Sequence, residues 1–498
     1  MASREELRTE RLKKLDLITN AGGDPYPPRV RRSFSVAYAR EHFNRLAQEE
    51  KIVSLVGRLR ALRGHGKACF ANIDDGTGTV QAYFTADALG KEYVRIAETI
   101  DVGDFLQVEG VLFRTHTGEE TLRVSSFAII AKSLLPLPDK WHSLQDKEER
   151  LRKRYLDILM NPDVKNRFIM RSTIIARIRK FMEAGGFLEV ETPMLQAIPG
   201  GALAQPFATH LNALDVDLYL RVAPELYLKR LLVAGFEKVF EIGRNFRNEG
   251  IDREHNPEFT MMECYAAYWD YEKMMGFMED LVLDIIHALN NDEKNNQYAI
   301  GGKVIDFTRP WRRMPFTDTL KEIGIDYDAV TAEDLRQEAK KRGIALKPAM
   351  PKGKLADELY KKFVRGKLDG PVFLVDHPLD ISPLAKKKPG NADHVERFQL
   401  VLGGMEIANA FSELNDPLDQ KERFMAQEKE RAIGDEESHR LDEDFIEALE
   451  YGMPPAAGLG LGIDRFAALL TGAENLREII LFPFMRPENS PRQEKHNE

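Results

Sequence analysis

The sequence predicts an α+β fold: a small closed β-barrel near the N-terminus, then a larger domain in which helices alternate with antiparallel strand pairs. Three observations carry this. Between Ile52 and about Ala131, short alternating runs ("IVSLVGRLRAL", "KACFANIDD", "TVQAYFT", "DFLQVEGVLFRT", "TLRVSSFAII") are separated by turn signals. Further on, "RSTIIARIRKFMEAGGFLEVETPML" has apolar residues at helical spacing until Gly185 and Gly186, then becomes extended. Finally, "FEIGRNFRNEGIDREHNPEFTMMECY", Phe240 to Tyr265, reads as two strands around a turn, with charges crowding one face.

At 498 residues the chain exceeds one ordinary core, so two to four domains are expected. Residues 1–50 read as a polar helical extension ending at the Gly and Pro cluster "GGDPYPPRV". Residues 51–140 hold the barrel, whose short strands and single helical interruption at "ADALGKEYVRIAETI" suit the oligonucleotide-binding type, the OB-fold. The segment "LLPLPDKW" is a proline-stiffened linker into a helical region at 141–165. Residues 166–498 form the larger domain, with a helical insertion expected around 270–390. From Lys140 to Lys180 basic residues outnumber acidic ones, which suits a solvated helix face or a surface for phosphates. The tail "RPENSPRQEKHNE" has a disordered composition.

A chain with 43% hydrophobic and 30% charged residues, and no run of about 18 apolar residues, suits a soluble protein with no membrane partner. The opening "MASREELRTERLKKL" lacks the apolar core of a secretory signal, so a cytoplasmic location is expected. Cys69 and Cys264 alone support neither a disulfide framework nor a thiolate zinc site. The net charge of -9 argues against a protein that coats nucleic acid through bulk charge, while leaving room for a local basic surface.

Period-2 geometry places Glu241, Gly243, Asn245, Arg247 and Glu249 on one face of the first hairpin strand and Phe240, Ile242 and Phe246 on the other. On the return strand Phe259, Met261, Glu263 and Tyr265 share a face. Such a polar face is either solvated or lines a site. Arg247 offers a planar fork for carboxylate or phosphate, Phe259 a ring for a base, and the loop adds Arg253 and His255. Near the C-terminus "GLGLGIDRFAALL" runs from a glycine-alternating strand into an apolar helix with Arg465 at its start, a place suited to anions. Neither stretch is a Gly-rich phosphate loop.

Together these segments resemble the class II aminoacyl-tRNA synthetases, whose three signature motifs match "FMEAGGFLEVETPML", the hairpin with its "FRNE", and "GLGLGIDRF". Within that class the chain is similar to the bacterial-type lysyl-tRNA synthetases, on "PGGALAQPF", "RVAPELYLKRLLVAGFEKVFEIGRNFRNEG", "HNPEFTMMECY" and "NAFSELNDP". The resemblance implies an antiparallel catalytic sheet flanked by helices, an OB-fold that reads the anticodon, and a homodimer with the first motif at its two-fold interface. It implies ATP as substrate, Mg²⁺ as cofactor, and L-lysine and tRNA(Lys) as partners. The implied reaction forms lysyl-adenylate and transfers lysine to the 3' end of the tRNA.

Residue by residue, the resemblance implies that Arg247 bridges the lysine carboxylate and the α-phosphate. Phe259 would stack on adenine, with Arg465 on its other side reaching the γ-phosphate; Arg247 and Arg465 are thus the catalytic pair. Glu249, His255 and Glu406 would make further ATP contacts. Glu413 would meet the ε-ammonium of lysine, with Tyr265 as second contact, and Glu225 and the Gly201 backbone the α-amino group. Glu263, Asn409 and Phe411 would complete that wall. In the barrel, Arg58, Phe70 and Gln81 would read the central anticodon base.

Two positions depart from the family pattern. Gln399 stands where a glutamate usually works with the one matching Glu406 to hold magnesium, and an uncharged amide binds that ion more weakly. Glu254 stands where an arginine usually points at the ATP phosphates; either Arg253 replaces it or Glu254 faces solvent. Other readings are a paralogue that lysylates a protein, which typically lacks the barrel, and a non-catalytic tRNA-binding relative.

Overall fold

The computed structural model describes residues 3–138, 146–346, 350–432 and 440–488. The end of the expected linker, Lys140 and the tail beyond residue 488 lie outside the described residues. The chain divides into two compact units, Met1–Gln145 and Asp146–Glu498.

In the first unit a helix, Arg4–Asn20, opens with a capping box in which Ser3 and Glu6 satisfy each other's backbone amides. Arg11 anchors it by donating to the carbonyls of Val102, Ser133 and Leu135. Five strands close a barrel in the order Ile52–His65, Ala68–Asp74, Thr79–Thr85, Glu120–Ala131, Phe105–Arg114. Only the third and fourth of these pair in parallel. Strict alternation, as along Phe105–Arg114, sends Leu106, Val108 and Leu112 into the barrel. The expected helical interruption is present as Ala86–Leu89 and Glu92–Thr99. Thus the barrel and the mixed second unit both follow the expected fold class.

The second unit is built on an eight-stranded sheet in the order Arg312–Pro315, Val372–Val375, Arg397–Leu402, Met405–Ser412, Ala456–Gly462, Glu258–Ala267, Lys238–Phe246, Leu188–Glu189. The inner six strands are antiparallel to their neighbours, and only the two outermost pairs are parallel. A helix, Tyr271–Asn290, starts on an Asp270 cap. It packs Met274, Met278, Leu281 and Ile285 against Phe240, Met262 and Cys264 on one face of the sheet. That leaves the opposite face, with Arg247 and Glu263, for a site.

The segment around 270–390 differs from a purely helical insertion. Its helices Phe316–Lys321, Ala332–Lys341 and Lys352–Phe363 form their own small core around Leu335, Leu355 and Leu359. It also supplies the two strands at one edge of the main sheet. The run "VFLV" is buried on both faces, so it shows no alternation from which a strand could be read.

The basic excess of 140–180 is largely taken up internally. Arg150 and Arg154 clamp the fully buried Asp157, and Arg152 and Lys153 pair with Glu148 and Glu149. Arg167, Arg171, Arg177 and Arg179 reach Glu478, Asp464, Asp284 and Glu189. Among the described residues no helix is long and apolar enough to cross a membrane.

Candidate active site

The hairpin of Lys238–Phe246 and Glu258–Ala267 pairs Glu241 with Glu263, Gly243 with Met261 and Asn245 with Phe259. Opposed residues of an antiparallel pair share a face, so the two polar faces read from sequence form one surface. Not every charge there serves a ligand. Glu241, 4% exposed, is held by the buried Arg221 and by the Thr192 hydroxyl and amide. A side chain at Gly243 would collide with that guanidinium, so this pair ties the first motif to the hairpin.

The remaining polar face lines a cavity of about 310 Å³. At one end Arg247 lies over the Phe259 ring, its guanidinium 5.0 Å from the centroid. The buried Arg247 Nε has no protein partner, so a donor is left for a ligand. Arg465, delivered by the helix Ile463–Leu470, reaches the Glu254 carbonyl at 3.4 Å, the Glu406 carbonyl at 3.3 Å and His255 Nε2 at 3.1 Å. Asp464 fixes the start of that helix by accepting from Thr260 N and Arg171. Glu249, His255, Glu406 and Arg465 all line this end.

The other end is acidic. Gly201, Glu225, Glu263, Tyr265, Asn409 and Phe411 line it. Glu413 lies one layer deeper, 2% exposed, against Gly458 and Tyr265. A Cβ at Gly458 would sit 2.2 Å from Glu413 Oε1 and 2.4 Å from Tyr265 Cε1. The alternating glycines thus clear room for these two side chains as well as for a ligand. Burial, then the charge of Glu225, pushes the Glu263 carboxyl up to about 8. Burial likewise raises Glu413 and Glu225, against the pull of Lys229.

Lys229 was not legible as a site residue. It follows Glu225 by one helical turn in Glu225–Val233, fully buried, with its ammonium 2.7 Å from Glu225 and 2.5 Å from Glu413. Its burial alone would neutralise it, but the two carboxylates hold it protonated. Arg397 was also missed. It donates to Asn409 Oδ1 at 2.8 Å and to the Ile381 carbonyl and Ser382 hydroxyl, orienting Asn409. An arginine opening the otherwise apolar strand "RFQLVL" was the available signal.

Two expectations are corrected by the geometry. Gln399, 6% exposed, does not line the cavity; it lies against the buried His377 instead. Among the described residues no cluster of three or more acidic, His or Cys side chains could hold a metal. Glu406 alone fits an ion that takes most of its oxygens from phosphates and water. Glu254 neither faces solvent nor yields its place to Arg253. It lines the cavity and pairs with Arg365 at 2.8 Å, while the exposed Arg253 acts electrostatically on Lys147 and Glu474.

In the barrel, Phe70 is 38% exposed and stacks on Tyr83 at 4.6 Å. Gln81 stands opposite Asn72 on the same outward surface and accepts from Thr121 at 2.9 Å. Arg58 is not brought to them. It pairs in register with Asp74, covers the Phe105 ring at 4.2 Å and donates to the Gly103 carbonyl at 3.0 Å. Arg63 is the residue opposite Phe70. A bulge between Leu59 and Ala61 shifts the register by one, which periodicity alone does not reveal.

Comparison with known proteins bears on this arrangement. Residues 146–486 match the family model for tRNA synthetases class II (D, K and N), and residues 53–135 that for an OB-fold nucleic acid binding domain. The chain belongs to the class II tRNA synthetases of the D, K and N group. Among its relatives is the lysine–tRNA ligase of Syntrophomonas wolfei subsp. wolfei, 49% identical over 97% of this chain and 98% of the relative. Those of Pelotomaculum thermopropionicum and Moorella thermoacetica are 49% and 48% identical, covering 97% and 98% of this chain and 95% and 99% of the relatives.

Proposed function

We propose that the protein is a lysine–tRNA ligase, which activates L-lysine with ATP to lysyl-adenylate and transfers lysine to the 3' end of tRNA(Lys). The observation that carries this reading is the division of one cavity into a cationic, ring-bearing end and an end lined by the buried carboxyls of Glu225 and Glu263, with Glu413 one layer behind them. The first suits a nucleotide; the second suits an amino acid with two ammonium groups. An isolated buried ammonium would be costly, so it needs such carboxylates.

In this reading Phe259 and Arg465 sandwich adenine, Arg465 and His255 take the outer phosphates, and Glu249 makes a further nucleotide contact. Glu225 and the Gly201 backbone hold the α-amino group, while Glu413 and Tyr265 take the ε-ammonium beside Phe411, Asn409 and Glu263. The lysine carboxylate then lies beside Arg247, whose guanidinium serves both that carboxylate and the reacting phosphate. No protein nucleophile is needed; attack of the carboxylate on the α-phosphate is accelerated by positioning and by cations facing the developing charge. Magnesium held at Glu406 would add charge neutralisation on the phosphates when bound.

The exposed Phe70, with Gln81 and Arg63, suits an unstacked anticodon base. Leu188, Met194 and Leu195 of the first motif are exposed apolar side chains, which supports a homodimer across it. A cytoplasmic location follows from the substrates. Lysine-dependent pyrophosphate exchange, then charging of tRNA(Lys), tests the reading. Exchange followed by charging is expected. Absence of exchange overturns it in favour of a tRNA-binding relative, and exchange without charging in favour of a protein-lysylating paralogue.

A further inference from the structure

We infer that Glu254 and Arg365 form a clasp that sets the position of Arg465, making Arg365 a positioning residue for ATP; this rests on the nucleotide reading of the cavity. The pair joins two distant segments across the cavity mouth. Glu254 belongs to the loop between the hairpin strands, and Arg365 opens the 3-10 turn Arg365–Lys367 of the insertion. Arg365 Nη2 donates to Glu254 Oε2 at 2.8 Å, with the side chains 19% and 30% exposed. A contact so sheltered is stronger than an open surface pair.

Both ends are fixed to what they govern. The turn is held to the sheet: the amide of Gly404 bonds the Leu368 carbonyl, and a Cβ at Gly404 would sit 3.2 Å from Gly366 Cα. Gly404 leads directly into the strand Met405–Ser412 that carries Glu406. On the other side, the loop is shaped by Asp252, which accepts from the amides of Glu254 and His255 and from the His255 ring. Its outward contacts on this side go to Arg465, through the Glu254 carbonyl and His255 Nε2, and to the Leu476 amide, through the Arg253 carbonyl. Holding Glu254 therefore holds two of the three groups that contact Arg465, the third being the Glu406 carbonyl on the strand to which the turn is tied.

The inference has an unusual sign. A carboxylate beside a triphosphate site repels the ligand, so a Glu254 with no positioning role would hinder ATP, and its neutralisation would lower KM for ATP. A clasp predicts the opposite. The experiment is pyrophosphate exchange by full-length wild type, Glu254→Gln, Arg365→Gln and the double Gln variant. Each single variant is expected to raise KM for ATP on the order of fivefold, with KM for lysine and the melting temperature unchanged. The double Gln variant should be no worse than either single. A lower KM for ATP in Glu254→Gln, or additive single effects, overturns the clasp. Lack of lysine-dependent exchange in wild type instead overturns the nucleotide reading itself.

Discussion

Two buried lysines, one in each unit, show how the same chemistry serves structure in one place and binding in another. In the barrel unit, Lys132 donates to the Thr99 carbonyl at 2.7 Å, Asp101 at 2.6 Å and Asp104 at 2.8 Å. Its three donors meet three acceptors, and Lys14 supplies Asp101 with a further cation. In the cavity, Lys229 faces Glu225 and Glu413 while Glu263 stands beside Glu225. There carboxylates exceed the ammonium that serves them. The first cluster is complete and locks the helix Glu92–Thr99 to the barrel wall; the second is left acidic, and an acidic surplus kept out of water is held in readiness for a cation.

That contrast can be broken or sharpened, beginning with the largest effect. Lys132→Met strands the buried Asp104 carboxylate and should destabilise the barrel unit by about 3–5 kcal/mol. Chemical denaturation followed by a barrel probe measures this, while lysine-dependent exchange should persist. Glu413→Gln should do the reverse. Loss of a charged hydrogen bond to the ligand is worth about 1.5–3 kcal/mol, so kcat/KM for lysine should fall by about tenfold to a hundredfold, with a smaller loss of stability than in Lys132→Met because Lys229 keeps Glu225. Equal effects of both variants on stability would erase the distinction.

Removing the exposed ring in Phe70→Ala should cost about 1–3 kcal/mol in tRNA binding and leave pyrophosphate exchange unaltered. Filter binding against exchange kinetics separates the two.

The smallest effect lies in pH dependence. Burial and Glu225 raise Glu263 from 4.5 to about 8, so folding takes up a proton between those values. The contribution of this group to stability is whole below the lower value and is lost as pH rises through the upper one. The empty wild type should therefore lose stability between pH 6 and 8 relative to Glu263→Gln. Lysine binding brings an ammonium that favours the carboxylate, so it should release up to about one proton at pH 7, seen calorimetrically as a buffer-dependent heat. Equal pH profiles for the two proteins would contradict the protonated Glu263.

Much of this was legible in the sequence, because strand periodicity is local. The polar face of the hairpin and the Gly-alternating strand depend on residues a few positions apart. What escaped was set by long-range approach. Lys229 looks like an ordinary helix cation until Glu413 arrives from another strand. Glu254 gains its partner only when the insertion folds back. One bulge puts Arg63 rather than Leu62 opposite Phe70, while Arg58 stays opposite Asp74. The placement of Gln399 against His377 reflects burial that its strand, apolar on both sides, could not reveal.

The central claim is that the surplus carboxylates receive the side-chain ammonium of lysine. The most direct test compares activation of lysine and of norleucine, which keeps the carbon stem and lacks the ammonium, in wild type and Glu413→Gln. A site built around a polar group rejects an analogue lacking it by about 10⁴-fold or more, so wild type should activate lysine and barely activate norleucine, and Glu413→Gln should narrow that gap. Comparable activation of both amino acids by the wild type, or a gap untouched by Glu413→Gln, would contradict the account.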